Sequence, residues 1–154
     1  MYLNRMTCGE LCTRQVSTVL PTTLVDEAAR QMRRDHVGCL VVVENLDADR
    51  RVVGIVTDRD LVTTVVARGA APTAIGVGEV MVRDVVCVRE EDSIVDLLAT
   101  IQSRRVRRVP VVGPDQRLVG IVGVDDLLGV LAEQFLVLVQ AIGQQRRVER
   151  VTRP

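Results

Sequence analysis

Short runs rich in valine and isoleucine, each bounded by polar turns, alternate along this chain with segments in which apolar residues return every three or four positions. The second kind predicts amphipathic helices. Val25, Ala28, Ala29 and Met32 of VDEAARQMRRD share one face at helical spacing, as do Ile94, Leu97, Leu98 and Ile101 of IVDLLATIQSR. The first kind, VGCLVVVE and VRRVPVVG followed by RVVGIVT and RLVGIVG, predicts strands. Continuous β-branched runs without polar alternation belong to strands covered on both faces. Shorter strands, VSTVL and VVCVR, precede the helices and are separated from them by the polar cap regions PTT and EEDS. A further helix is expected to begin near Asp58 and another near Val124.

The two series are one pattern written twice. Gly9 and Glu10 fall on Gly78 and Glu79, Arg14 on Arg83, Val16 on Val85, Val19 on Val88, Val37 on Val106, and Val42 and Val43 on Val111 and Val112, all at an offset of 69. After the acidic loop ENLDADR the offset becomes 66, so that Gly54, Ile55, Val56, Asp60 and Leu61 fall on Gly120, Ile121, Val122, Asp126 and Leu127. An insertion of this size is tolerated in a surface loop. A βαββα unit of this length cannot cover both faces of its own sheet, so the two units are expected to pack through their sheets about a pseudo-twofold axis. The fold class is α/β, or α+β in the stricter usage. The expected boundaries are residues 6–68 for the first repeat, 69–77 for a Gly/Pro/Ala linker, 78–132 for the second repeat and 133–154 for a C-terminal helix and tail. The segment LAEQFLVLVQAIGQQRRVERV reads as a packing or dimer helix whose terminal arginines complement the helix dipole. Glu133 and Glu149 dilute its charge, which disfavours a membrane-surface or nucleic-acid role.

Composition narrows the function classes. The chain has 154 residues, 47% of them hydrophobic, and its 20 cations, all arginine, balance 20 carboxylates. Bulk charge therefore gives no reason to expect a polyanion partner. Tyr2 and Phe135 are the only aromatic residues, which argues against a base-stacking surface. The N-terminal stretch MYLNRMTCGELC contains no continuous apolar run, and no run reaches membrane-spanning length, so neither a signal peptide nor a membrane anchor is expected. Cys8, Cys12, Cys39 and Cys87 lack CxxC spacing, and His36 is the only histidine, so no metal site is expected. Free thiols in a reducing cytoplasm fit better than disulfides.

VDEAARQM followed by HVGCLVVV and GIVTDRDL, then SIVDLL followed by RVRRVPVV and GIVGVDDLL, resembles a tandem pair of cystathionine-beta-synthase (CBS) domains, a Bateman module. The resemblance covers roughly residues 6 to 135. It is similar to stand-alone prokaryotic CBS-pair proteins, including those induced under hypoxic stress. It implies a non-catalytic regulatory module that binds an adenosine nucleotide, AMP, ADP or ATP, between the repeats. In that family a Gly, two apolar residues, Ser/Thr, two variable residues and Asp close the second strand; the hydroxyl and nearby amides meet phosphate and the aspartate takes the ribose hydroxyls.

Carried onto this chain, the resemblance implies a site at Gly54, Thr57 and Asp60. Gly54 would permit close approach of a ligand. Thr57 would cap the following helix with its amides toward an anion, and Asp60 would accept hydroxyl hydrogen bonds. Thr57 as a plain helix cap and Asp60 as a first-turn charge are the structural alternatives. The family's crossed arrangement implies that Asp84, Val86, Val106, Arg107 and Arg108 complete this site. A weaker second site would be formed by Gly123 and Asp126 with Gln15, Ser17, Val37, Gly38 and Cys39; it keeps the aspartate but has lost the hydroxyl and the arginine pair. His36, at the position equivalent to Arg105, reads as a surface or pocket-rim residue.

No nucleophile with its base, metal set or opposed carboxylate pair is evident, and Asp58 and Asp60 diverge along one turn. The inosine monophosphate dehydrogenases contain CBS pairs, but their catalytic barrel needs upwards of roughly 200 residues. The alternative to a nucleotide sensor is a constitutive structural or protein-interaction module with a vestigial pocket. The expected partners are the adenylate, a second copy of the chain in a homodimer, and an effector protein that the sequence does not name.

Overall fold

The computed structural model describes residues 6–47 and 49–152, with side chains as far as residue 142. Residues 1–5, which include Tyr2 and begin the segment read for a signal peptide, and the side chains of the terminal arginines lie outside the described residues. The chain divides into two compact units, Met1–Val122 and Gly123–Pro154. In the first unit α1 (Cys8–Leu11), β1 (Thr18–Val19), α2 (Val25–Asp35), β2 (Cys39–Val43) and β3 (Val52–Thr57) lead to α3, one α-turn at Asp58–Asp60 that widens into a π-helix over Leu61–Val66. The same order returns in α4 (Val77–Val80), β4 (Val88–Arg89), α5 (Ile94–Arg104), β5 (Arg108–Val112) and β6 (Leu118–Gly123). The second unit is occupied by α6 (Val124–Thr152).

Each repeat forms a three-stranded sheet, β1-β2-β3 and β4-β5-β6. In both, the short first strand runs parallel to the central one, pairing Thr18 with Val41 and Val88 with Val111. β2 and β3 are antiparallel, with Cys39 opposite Thr57 and Val42 opposite Gly54. β2 is buried on both faces, as its unbroken apolar run requires. Leu40 and Val42 pack with Val25, Ala28 and Met32 of α2 and with Leu61 and Val65 of the π-helix. Val41 and Val43 pack instead with Leu118 and Ile121 of β6.

The two helices named from periodicity end where the spacing predicts, but their apolar stripes are narrower. Val25, Ala28 and Met32 are buried, as are Ile94 and Leu97, whereas Ala29 and its equivalent Leu98 are exposed. Both lie at the edge of the stripe, where the 3.6-residue turn carries a side chain off the sheet. The cap of α2 also differs from the polar cap expected. Its N-cap is Leu24, which has no side-chain cap bond. The first amides of α2 are satisfied by the linker, Val25 N–H donating to the Ile75 carbonyl (3.0 Å) and Asp26 N–H to that of Pro72 (3.2 Å). Ser93 caps α5 in the ordinary way.

The repeats exchange their leading segments. Thr13 bridges Ile121 of the second sheet, and Val82 bridges Ile55 of the first; Thr7 bridges Ser93, and Gly76 bridges Leu24. Adding 69 to Thr13 gives Val82 and adding 66 to Ile55 gives Ile121, while adding 69 to Thr7 and Leu24 gives Gly76 and Ser93, so each bridge maps onto its counterpart, as a pseudo-twofold axis requires. Arg51 and Arg117, equivalent positions, bridge each other and so lie on that axis. Glycine makes room for each crossing. A β-carbon at Gly54 would come within 2.4 Å of Met81 Sδ, and one at Gly120 within 2.4 Å of Cys12 Sγ and 2.9 Å of the Thr13 carbonyl oxygen.

These contacts rank two substitutions. Gly54→Ala meets the flexible end of a methionine and should cost about 1 kcal/mol, whereas Gly120→Ala meets backbone and should cost about 2 to 3 kcal/mol; urea unfolding of both variants checks the order. His36 and Arg105 both cap their helices at φ 54, in the left-handed region. His36→Gly and Arg105→Gly should each raise stability, by up to about 1 kcal/mol, in the same assay.

Candidate functional site

The corner from β3 into α3 is closed by three hydrogen bonds between Thr57 and Asp60. The Thr57 N–H and its hydroxyl both donate to Asp60 Oδ2, at 2.8 and 2.7 Å, and the Asp60 N–H donates to Thr57 Oγ1 at 3.3 Å. Thr57 is thus the N-cap of α3 in a capping box. The same three bonds recur between Ser93 and Asp96 at α5, at 3.2, 2.6 and 3.2 Å. In this arrangement the threonine proton is committed, and Asp60 keeps Oδ1 for a further hydrogen bond.

Three features surround the corner. Cys39 stands opposite Thr57 in the β2–β3 pairing. The Gly38 carbonyl accepts from the Asp58 N–H at 3.0 Å. Arg108, the exposed first residue of β5, lies close enough to Cys39 to favour its thiolate, while Asp58 and Asp60 disfavour it. The cation of the second repeat and the carboxylates of the first therefore act on one thiol. Gly38 and Cys39, assigned from the sequence to the second site, flank the first motif, which the pairing of β2 with β3 would have revealed. Val106 and Val86 are half-buried, and Asp84 and Arg107 exposed.

The remaining residues expected at the second site have partners of their own. Ser17 Oγ donates to Asp35 Oδ2 at 2.9 Å and holds the Asp35 carboxyl below its usual range. Val37 packs against the first repeat's core, and Gln15 is exposed. Within α6, Asp126 Oδ2 accepts from the Gly123 N–H at 2.6 Å, a box with its hydroxyl missing. The space beside Gly54, expected for a ligand, is occupied by Met81.

At the opposite end of the β2–β3 hairpin a cleft of about 250 Å³ is lined by Glu44, Asn45, Asp49, Arg51, Asp115 and Arg117. Asn45 Oδ1 is buried there without a hydrogen-bond partner. Arginines and carboxylates are mixed along its walls, which suits no single charge. Among the described residues no group of three or more His, Cys, Asp or Glu side chains could hold a metal ion, and no helix is long and apolar enough to cross a membrane.

The CBS domain model matches residues 8–67 and 77–133. The chain belongs to the CBS-domain family. An uncharacterized protein of Methanopyrus kandleri is 33% identical over 135 residues, 88% of this chain and 66% of that protein. The chain thus spans about two thirds of that relative's length. Hypoxic response protein 1 of Mycobacterium tuberculosis is 36% identical over 110 residues, 71% of this chain and 74% of that protein. A protein with CBS domains from Burkholderia ambifaria superposes with a TM-score of 0.73 at 28% identity, covering 84% of this chain and 96% of the other. The architecture is that of a CBS pair, and CBS domains are regulatory modules that do no catalysis.

In this CBS pair burial raises the thiols of Cys8, Cys39 and Cys87 from 9.0 to about 11. They are neutral and poorly nucleophilic at physiological pH. A pKa raised in the folded state contributes stability that is present below pH 9 and lost as pH rises through about 11. Alkylation should accordingly be slow at neutral pH, and urea midpoints should fall between pH 9 and 11, less so in a Cys39→Ser/Cys87→Ser variant compared with its own neutral-pH midpoint. Thr57→Ala and Ser93→Ala should each cost about 0.5 to 2 kcal/mol, because both remove the hydroxyl of the same cap; unfolding of the ligand-free variants checks this.

Proposed function

We propose that this CBS pair is a cytoplasmic regulatory module that binds an adenosine nucleotide (AMP, ADP or ATP) at the Thr57/Asp60 corner. The observation that carries the reading is the Thr57–Asp60 corner opposite Cys39, which leaves Asp60 Oδ1 for a further hydrogen bond; the influence of Arg108 on the same thiol supports it. A cation from one repeat and a carboxylate from the other are suited to the two ends of a nucleotide. Arg108 would meet phosphate, and Asp60 Oδ1 a ribose hydroxyl. Arg107, Asp84, Val86 and Val106 are assigned to the same site, with Gly54 supporting it through packing. The motif at Gly123 and Asp126 is proposed to be a weaker site, because Gly123 offers no hydroxyl. Binding would alter the module's contact with an effector protein, and the name of the Mycobacterium tuberculosis relative makes a stress-related setting part of the proposal.

A second reading, a constitutive interaction module with a vestigial pocket, is favoured by the identity of the Thr57 box with the Ser93 box and by Met81 against Gly54. Calorimetry on nucleotide-stripped protein separates the two. The nucleotide reading expects about one tight adenylate per chain. Asp60→Ala should weaken AMP and adenosine alike. Arg108→Ala should lower AMP affinity tenfold or more, as a charge-assisted contact of about 1.5 to 3 kcal/mol implies, and spare adenosine. Absence of binding to the whole adenylate panel would leave the interaction module, and an unchanged AMP-to-adenosine ratio in Arg108→Ala and in Arg107→Ala would remove both arginines from the phosphate site.

A further inference from the structure

The cleft at the far end of the β2–β3 hairpin breaks the symmetry of the fold. In both repeats the hairpin is closed by the same backbone bond, Glu44 N–H to the Arg51 carbonyl and Gly113 N–H to that of Arg117, each at 2.9 Å. Between those ends the first loop has residues 45–50 and the second only 114–116, which is the change of offset from 69 to 66. The offset of 66 makes Asp115 the counterpart of Asp49 and Arg117 that of Arg51. Arg117 donates to Asp49 Oδ1. Symmetry calls for a matching pair between Arg51 and Asp115, yet among the described residues neither has an ion pair or a side-chain hydrogen bond. The shorter loop turns by placing Asp115 and Gln116 in the left-handed region, at φ 58 and 61, so the Asp115 side chain leaves the backbone on a different course from that of Asp49.

Arg51 and Asp115 nevertheless line one cleft of about 250 Å³, together with Glu44, whose carboxylate is likewise unpaired, and Asn45. Asn45 Oδ1 is buried without a donor, an unmade bond that a donor in the cleft can supply once the amide turns toward it. We propose that this cleft binds the zwitterionic head of a free α-amino acid, its carboxylate paired with Arg51 and its ammonium shared by Asp115, Glu44 and Asn45. Counting donors and acceptors selects this class. A guanidinium presents a fork that matches the two oxygens of one carboxylate. A primary ammonium has three N–H donors, and three acceptors on the wall lack one. A phosphate or a dicarboxylate would gain Arg51 but face Glu44, Asp49 and Asp115, and a metal ion would be repelled by Arg51 and Arg117. An adjoining cleft of about 500 Å³ shares Arg51 and Asp115 and is lined in part by Val112 and Pro114, which gives an uncharged aliphatic side chain room and apolar surface.

Nitrogen–proton correlation spectra of the nucleotide-stripped full chain, titrated with L-leucine, test the proposal. The amides of Asn45, Gly113 and Arg117 should shift saturably, while those of residues 57–60, at the other end of the hairpin, stay in place. Isocaproate, which is leucine without its ammonium, and isoamylamine, which is leucine without its carboxylate, should each bind about fivefold more weakly, as the loss of one well-formed exposed ion pair implies. Arg51→Gln and Asp115→Asn should weaken leucine by a similar factor. Asparagine tolerates the left-handed backbone at residue 115, and unchanged spectra away from the two loops show that both variants fold. The proposal is overturned by the absence of saturable shifts with leucine and with every other natural L-amino acid, or by shifts centred on residues 57–60. It is equally overturned if either single-charge analogue binds as well as leucine, or if both variants keep the wild-type affinity.

Discussion

The exchange of leading segments is the contact on which the rest of the first unit depends. A three-stranded sheet with a helix on one face leaves its other face and the edge of β3 or β6 unsatisfied. Here the segment before each repeat's first strand supplies the edge of the other repeat: Val82 exchanges both backbone hydrogen bonds with Ile55, at 3.0 and 2.9 Å, and Thr13 does so with Ile121, at 2.9 and 3.0 Å. Neither repeat can complete its sheet alone. Gly54 and Gly120 are small because Met81 and Cys12 lie against them, so the glycine that opens each repeated motif belongs first to the crossing and only then to any site beside it.

The two corners differ in what they can offer because one turns at Thr57 and the other at Gly123. Each is a strand end turning into a helix, and in each an aspartate three residues on accepts from the amide of the turning residue. The first adds a hydroxyl that ties strand and helix together from both directions; the second has only the bond from the Gly123 amide to the Asp126 carboxylate. Arg108 stands at the start of β5, and the burial of Cys39, not Arg108, dominates the state of the thiol between them. One cation and two carboxylates act on the thiol at this corner, so the carboxylates outnumber the cation there.

Much of this was legible in the chain. The bounds of α2 and α5, the doubled β-strand pattern and the change of offset from 69 to 66 all follow from hydrophobic periodicity, because burial imposes that periodicity wherever a helix or strand meets a core. What escaped depends on contacts distant in sequence. Leu24 is a poor cap by type, yet Ile75 and Pro72 satisfy the amides it leaves. Gly54 read as space for a ligand because the side chain that fills it, Met81, arrives from the leading segment of the second repeat. Cys39 stands opposite Thr57 through a strand pairing that local spacing does not reveal. The π-helix over Leu61–Val66 has no composition signal, because Leu61 and Val65, four residues apart, would share a buried face in an ordinary α-helix as well.

The corner's chemistry finally turns on one proton. In the ligand-free fold the Thr57 hydroxyl donates to Asp60 Oδ2, so it can accept a further hydrogen bond but cannot donate one. A phosphate offers only acceptors. A phosphate contact with Thr57 thus requires the hydroxyl to leave Asp60, which loosens the cap of α3, the single α-turn ahead of the π-helix. A ligand held only by Arg108 and Asp60 Oδ1 would leave that cap intact. Occupancy that engages Thr57 and occupancy that does not are therefore mechanically different events, and only the first changes the start of the helix that a partner could read.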